Sequence, residues 1–177
     1  MLTLKERTAR IGLETDEFED IVISGSNFVI IDFSGFCYHS GGIELLEEYI
    51  AKNGGTVRKS TVKNTGYAII CPVAYTSTAN YKKPADDYEK ALTLKKAGKA
   101  IKIISDLDFY VHFKLFSKLR VDNKLRLAEL YLNGDKRFDE KTAAKIQKFI
   151  DEKKGTWTYK EYFEKSMKEY TAPLYDK

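Results

Sequence analysis

Three short runs dense in β-branched and aromatic residues constrain this chain most: Phe28–Phe33 (FVIIDF), Tyr67–Cys71 (YAIIC) and Ala100–Ile104 (AIKII). Runs this short and apolar read as strands covered on both faces. Helical patterns separate them. Ile43–Asn53 places Ile43, Leu46 and Ile50 at helical spacing and stops at Gly54-Gly55, a C-cap signature. Thr56–Lys59 reads as a further short strand, and Asn64-Thr65-Gly66 as the turn into Tyr67–Cys71, which Pro72 closes. Asp86–Ala97 is helical and broken by Gly98. Ser105, with Asp108 three residues on, resembles a capping box that opens a helix to Phe113. The resulting order, β-α-β-β-α-β-α, predicts an α/β fold: a parallel four-stranded sheet flanked by helices on both faces. It argues against an all-β fold or a helix bundle.

The remainder is helical. Asp122–Leu132 ends at Asn133-Gly134. Asp139–Lys153 carries Ala143, Ile146, Phe149 and Ile150 on one stripe and ends at Gly155. Thr158-x-x-Glu161 is a capping box for a last helix to Tyr170, ahead of Pro173. At the other end, residues 1–20 are polar and predict a short helix that stops near Gly12.

Charge is uneven along the chain. Residues 1–27 hold three Lys/Arg against six Asp/Glu, residues 28–113 eleven against nine, and residues 114–177 sixteen against eleven. The positive excess therefore sits in the C-terminal third, where it fits phosphate-bearing partners or the solvated faces of helices. Cys37 and Cys71 lack paired spacing, and with only His39 and His112 beside them no zinc-ligand pattern is present. Two unpaired cysteines and no secretory pattern predict a reducing, cytoplasmic setting. No apolar run approaches the ~18 residues that a membrane span needs.

The stretch Gly54-Gly-Thr-Val-Arg-Lys-Ser-Thr-Val-Lys-Asn-Thr-Gly-Tyr-Ala-Ile-Ile70 resembles the central motif of the BRCT domain family. There a Gly-Gly pair ends the first helix, a strand follows, and a Lys/Thr turn leads into the next strand. It aligns without gaps to the versions in NAD-dependent DNA ligases and the large subunit of replication factor C. Ile103-Ile-Ser-Asp-Leu-Asp-Phe109 is similar to the family's entry into its last helix, with Phe109 where many members have Trp. The resemblance covers residues 27–113, leaving residues 1–26 as an N-terminal segment and 114–177 as a helical C-terminal extension. It implies a non-catalytic binding module of DNA replication or repair, without cofactor or metal. Its partner would be DNA (ends or nicks) or a replication or repair protein, phosphorylated or not.

The resemblance also implies a phosphate site. Phosphate-recognising members use a Ser or Thr followed by Gly after the first strand and a Lys of the second helix, and Ser34-Gly35 matches the first part. A hydroxyl, a backbone N–H and an ammonium make a small anion cradle. For the lysine, Lys90 is the first choice, Lys95 the second, and Lys63 in the motif turn the third. Members that hold a DNA 5′-phosphate place an Arg early in the first helix, and Ile43 stands here instead.

Two other readings compete. Cys37 and His39 lie in a Gly-rich loop after a strand, where α/β enzymes keep catalytic groups, but no carboxylate to orient the His is identifiable. That loop lacks the Gly-Lys-Ser/Thr ending of a Walker motif. Alternatively the chain is a structural interaction module without a phosphate site, its interface on the C-terminal helices. There Tyr159, Tyr162, Phe163 and Tyr170 interleave with Lys160, Lys165 and Lys168, a pattern that suits packing onto the domain more than stacking on nucleic acid.

Overall fold

The structure, a computed structural model, describes residues 13–17, 20–33, 42–71, 82–156, 159 and 161. Four strands, β1 (Asn27–Asp32), β2 (Thr56–Arg58), β3 (Tyr67–Cys71) and β4 (Lys102–Ser105), form one sheet in the order β2-β1-β3-β4. Every pairing is parallel, with Phe28 opposite Val57 and Tyr67, and Ala68 opposite Ile103. Helices α1 (Gly42–Lys52), α2 (Lys82–Lys96) and α3 (Asp106–His112) supply the connections and the exit from β4. The parallel α/β architecture expected from the strand–helix alternation is the one observed, with element ends within a few residues of expectation.

Strand alternation divides the core. Phe28, Ile69 and Ile104 point to one face, where Leu46 and Ile50 of α1 and Leu107, Phe109 and Tyr110 of α3 cover them. Val29, Ile31, Ala68, Ile70 and Ile103 point to the other, where Tyr88 and Ala91 of α2 lie. Phe109 is fully buried, with its ring edge-on to Phe28 and Tyr49 and tilted against Phe113. Phe28 in turn stacks on Tyr67 at 4.8 Å between centroids. The motif residues Tyr67, Ile69 and Phe109 thus supply packing. Cys71 is fully buried.

The Gly-Gly pair closes α1 as the C-cap signature predicts, but its two glycines are there for different reasons. Gly54 alone carries the positive φ, 81°. Its N–H donates to the Ala51 carbonyl, and that of Gly55 to the Ile50 carbonyl, which closes α1 with a Schellman motif. Gly55 is glycine because of crowding: a Cβ there would lie 2.7 Å from Ile50 Cγ2 and 2.9 Å from Ile23 Cγ2. Ser105 caps α3 as the sequence predicts, its hydroxyl accepting the Asp108 N–H at 2.9 Å.

The segment 13–17 runs along the outer edge of β4. Asp16 donates its N–H to the Ile103 carbonyl, and its carboxylate accepts the Ile103 N–H, both at 2.7 Å. The Glu14 N–H donates to the Tyr88 hydroxyl, and Leu13 is buried under α2. An exposed sheet edge is a template for unwanted pairing, and this segment covers it.

Beyond α3, a 3₁₀ turn (Phe116–Lys118), α4 (Val121–Leu132) and α5 (Glu140–Lys153) follow. They add Leu115, Phe116, Leu119, Leu125, Leu127, Ile146 and Phe149 to the same apolar cluster that holds Phe28 and Phe109. Arg126 of α4 grips Asp106 of α3 with two bonds, 2.6 and 2.9 Å, and also reaches the Asn123 side chain at 2.8 Å. Both charged partners are essentially inaccessible, at 2% and 0% exposure. The first helix, expected near Gly12, lies outside the described residues. So does most of the Thr158–Tyr170 helix, although Tyr159 is described and packs against the main cluster, where burial pushes its phenol up. Among the described residues no helix is long and apolar enough to cross a membrane.

Candidate functional site: a groove between the β2–β3 turn and helix α2

Residues 59–66 connect β2 to β3 and are held in place by their own sequence and by α2. The Thr65 N–H donates to the Val62 carbonyl, the Thr65 hydroxyl accepts the Val62 N–H, and Gly66 donates to the Asn27 carbonyl. Asp87 of α2, 4% exposed at its side chain, anchors the turn. Its carboxylate accepts the Thr61 N–H at 3.0 Å, while its carbonyl accepts the Thr61 hydroxyl at 2.9 Å. Lys83, one helical turn earlier, donates to the other Asp87 oxygen and to the Lys59 carbonyl, each at 2.9 Å. A buried carboxylate with a donor on each oxygen is well satisfied, so the turn has a fixed position relative to the helix.

An open groove of about 650 Å³ lies beside this joint. Thr61, Val62 and Lys63 line it from the turn, and Asp86, Glu89, Lys90, Thr93 and Leu94 line it from α2. Val62 is 41% exposed, a large apolar side chain left at the surface. The Thr93 hydroxyl is occupied, donating to the Glu89 carbonyl. No ion pair among the described residues ties Lys63, Lys90, Asp86 or Glu89. The groove therefore offers two ammonium groups from facing elements, two carboxylates on the helix side, and an apolar floor from Val62 and Leu94.

The candidate residues fall into three groups. Lys63 and Lys90, far apart in sequence, come together in this groove. Lys95 stands apart at the other end of α2, paired with Asp16 of the segment along β4. Ser34 and Gly35 lie outside the described residues, as do Cys37 and His39. The described neighbourhood of that loop is the end of β1, where the Phe33 N–H donates to the Cys71 carbonyl and its ring meets Tyr88 edge-on. Ile43, in place of the expected Arg, sits in the first turn of α1. Among the described residues no group of three or more His, Cys, Asp or Glu is arranged to hold a metal ion.

Asp87 is the site residue that the sequence reading missed. The sequence places Asp86-Asp87 at the start of the expected Asp86–Ala97 helix, whereas α2 begins at Lys82, and nothing in the local pattern says that Asp87 turns inward to meet Thr61. Comparison of the chain with protein-family models, curated proteins and solved structures returns no match.

Proposed function

We propose that this protein is a non-catalytic binding module of the BRCT type, acting in DNA replication or repair in the cytoplasm. Its Lys63/Lys90 groove takes a phosphorylated segment of a protein partner. One observation carries the reading: the fixed β2–β3 turn and α2 put Lys63 and Lys90 in the lining of one groove, together with Val62 and Leu94. Two ammonium groups with no ion pair among the described residues suit one dianionic phosphate, and Val62 with Leu94 suits an apolar side chain beside it. Asp86 and Glu89 on the same wall repel a continuous polyanion, which favours a peptide over a DNA backbone at this place. The motif from Gly54 to Ile70 and the β2-β1-β3-β4 sheet support the assignment of type.

Anisotropy titrations of a phosphoserine/phosphothreonine peptide library, its unphosphorylated counterpart and a 5′-phosphorylated duplex test this reading. Lys63→Ala and Lys90→Ala should each weaken phosphopeptide binding by roughly one to two orders of magnitude, the worth of a charge-assisted contact of about 1.5–3 kcal/mol. The unphosphorylated library should bind wild type and variants equally poorly. Phosphate-dependent affinity that survives both substitutions refutes the site, and preference for the 5′-phosphorylated duplex shifts the ligand to DNA ends.

A further inference from the structure

The positive excess of the C-terminal third lies within residues 114–156, which hold twelve Lys/Arg against seven Asp/Glu. Most of its ion pairs use other cations. Asp139 faces Lys114, Asp135 and Asp108 hold Arg137, Asp106 holds Arg126, and Glu152 is nearest Lys148. Lys118, Lys124 and Lys145 are left without a carboxylate among the described residues, and they converge on the Phe116–Lys118 turn from three elements. Lys145 of α5 donates to the Ser117 hydroxyl at 3.0 Å. Lys124 of α4 lies 5.7 Å from the Phe116 ring centroid and 6.0 Å from that of Phe149. Lys118 lies 5.7 Å over Tyr49 of α1.

We propose that the surface around the Phe116–Lys118 turn is a second binding face, which takes the phosphate backbone of duplex nucleic acid. The rings beneath the lysines fix where the ammonium groups stand. Phe116 and Phe149 are 4% and 8% exposed and meet edge-on at 5.8 Å, so they are part of the core. Cation–ring contact holds a flexible lysine in place at little entropic cost and leaves its charge uncompensated. Because Phe116 and Phe149 are buried, bases cannot stack on them, and stacking is what single strands use to bind tightly. The face can neutralise phosphates and do little else. It therefore suits a duplex without sequence preference, where Lys-phosphate pairing and counterion release supply the affinity.

The proposal is independent of the Lys63/Lys90 groove, and the test separates them. A short blunt duplex with 5′-hydroxyl ends is titrated by anisotropy at several salt concentrations, beside the matching single strand and anionic phospholipid vesicles. Three phosphates neutralised give a slope of log K against log salt of about −2.7, and each of Lys118→Ala and Lys145→Ala should reduce its magnitude by about 0.9. Lys124→Arg, which keeps charge and ring contact, should bind as wild type, and Lys63→Ala/Lys90→Ala should leave this binding unchanged. Tighter binding to the single strand or to vesicles overturns the proposal. So does an unchanged slope in both Lys118→Ala and Lys145→Ala, or loss of duplex binding in the groove variant.

Discussion

The sheet unit and the C-terminal helices are joined by one apolar cluster, yet different forces specify them. In the sheet unit, parallel backbone ladders fix β1–β4, and side chains alternate between two apolar layers. Its close tolerances sit at backbone joints such as Gly55 and the Asp87–Thr61 anchor. The helical region has no ladder to register it. Its apolar stripe would tolerate sliding or rotation, because hydrophobic contact is non-directional. What is directional there is the Arg126–Asp106 fork, with Asn123 on the same guanidinium. A buried ion pair is costly to desolvate and contributes little net stability, but it punishes any other arrangement. The sheet is thus positioned by its backbone and the helices by a charge.

The sharpest way to break this comparison is at that charge. Arg126→Met should destabilise by about 3–5 kcal/mol, since it leaves Asp106 charged and buried without its partner. Pairing it with Asp106→Leu should recover much of the loss. Urea unfolding of the two variants decides the matter, and equal stability in both would put the helices' position down to apolar packing alone.

Gly55→Val tests the backbone side. A β-branched side chain at the Ile23–Ile50 contact should cost about 2–3 kcal/mol through overpacking, whereas Gly54→Ala should cost roughly 1–2 kcal/mol through its left-handed backbone. The reverse ranking in thermal melts would mean that conformation, not crowding, sets the demand for Gly55.

Between the regions stands Lys114, the only non-glycine residue at positive φ among those described, at 55°. It ends α3, its N–H donating to the Val111 carbonyl and that of Leu115 to the Tyr110 carbonyl. Lys114→Gly should stabilise by about 0.5–1 kcal/mol, because the exposed contact to Asp139 is worth little against the relief of the left-handed strain. A loss of stability instead would show that the Asp139 pair matters to the junction.

The smallest effect is pH-dependent. Burial alone would raise the Asp135 carboxyl, but hydrogen bonds and charge from Arg137 outweigh it and hold the group below its ordinary value of 3.8. Arg137 is raised correspondingly, chiefly by its hydrogen bond to Asp135. A depressed carboxyl contributes stability that is present above its unfolded value and lost as pH falls through the folded one. Asp135→Asn should therefore flatten the acid limb of the stability curve below about pH 4, by less than about 1 kcal/mol because the pair is half in water. An acid limb identical to wild type would remove the pair from the account.

How far the sequence alone reaches depends on whether the signal is local. Strand and helix order was legible because periodicity, β-branching and glycine stops are written within each segment: FVIID, YAIIC and Gly98 need no distant partner. So was the Ser105 cap, which acts three residues away. The candidate site was legible only in part. Lys63 and Lys90 could each be named as candidates, but their sharing of one groove depends on Asp87 pulling Thr61 onto α2, across 26 residues of chain. Lys95 carries the same local signal as Lys90 and is directed to Asp16 instead, a partner 79 residues away.

Composition and pattern by themselves determined an α/β chain with a parallel sheet, a basic helical end, and two glycines where helix becomes strand. The tertiary structure alone decided which glycine needs positive φ and which needs space, because part of the crowding at Gly55 comes from Ile23, more than thirty residues earlier. It also decided which charges are buried. Arg126 and Glu129 read as the solvated face of a helix, yet both are 2% exposed, because α4 is enclosed by α3, α5 and the sheet's own cluster. Periodicity reports one covered face per helix. Whether a second face is covered depends on what the rest of the chain brings against it, and that is a property of the packed molecule.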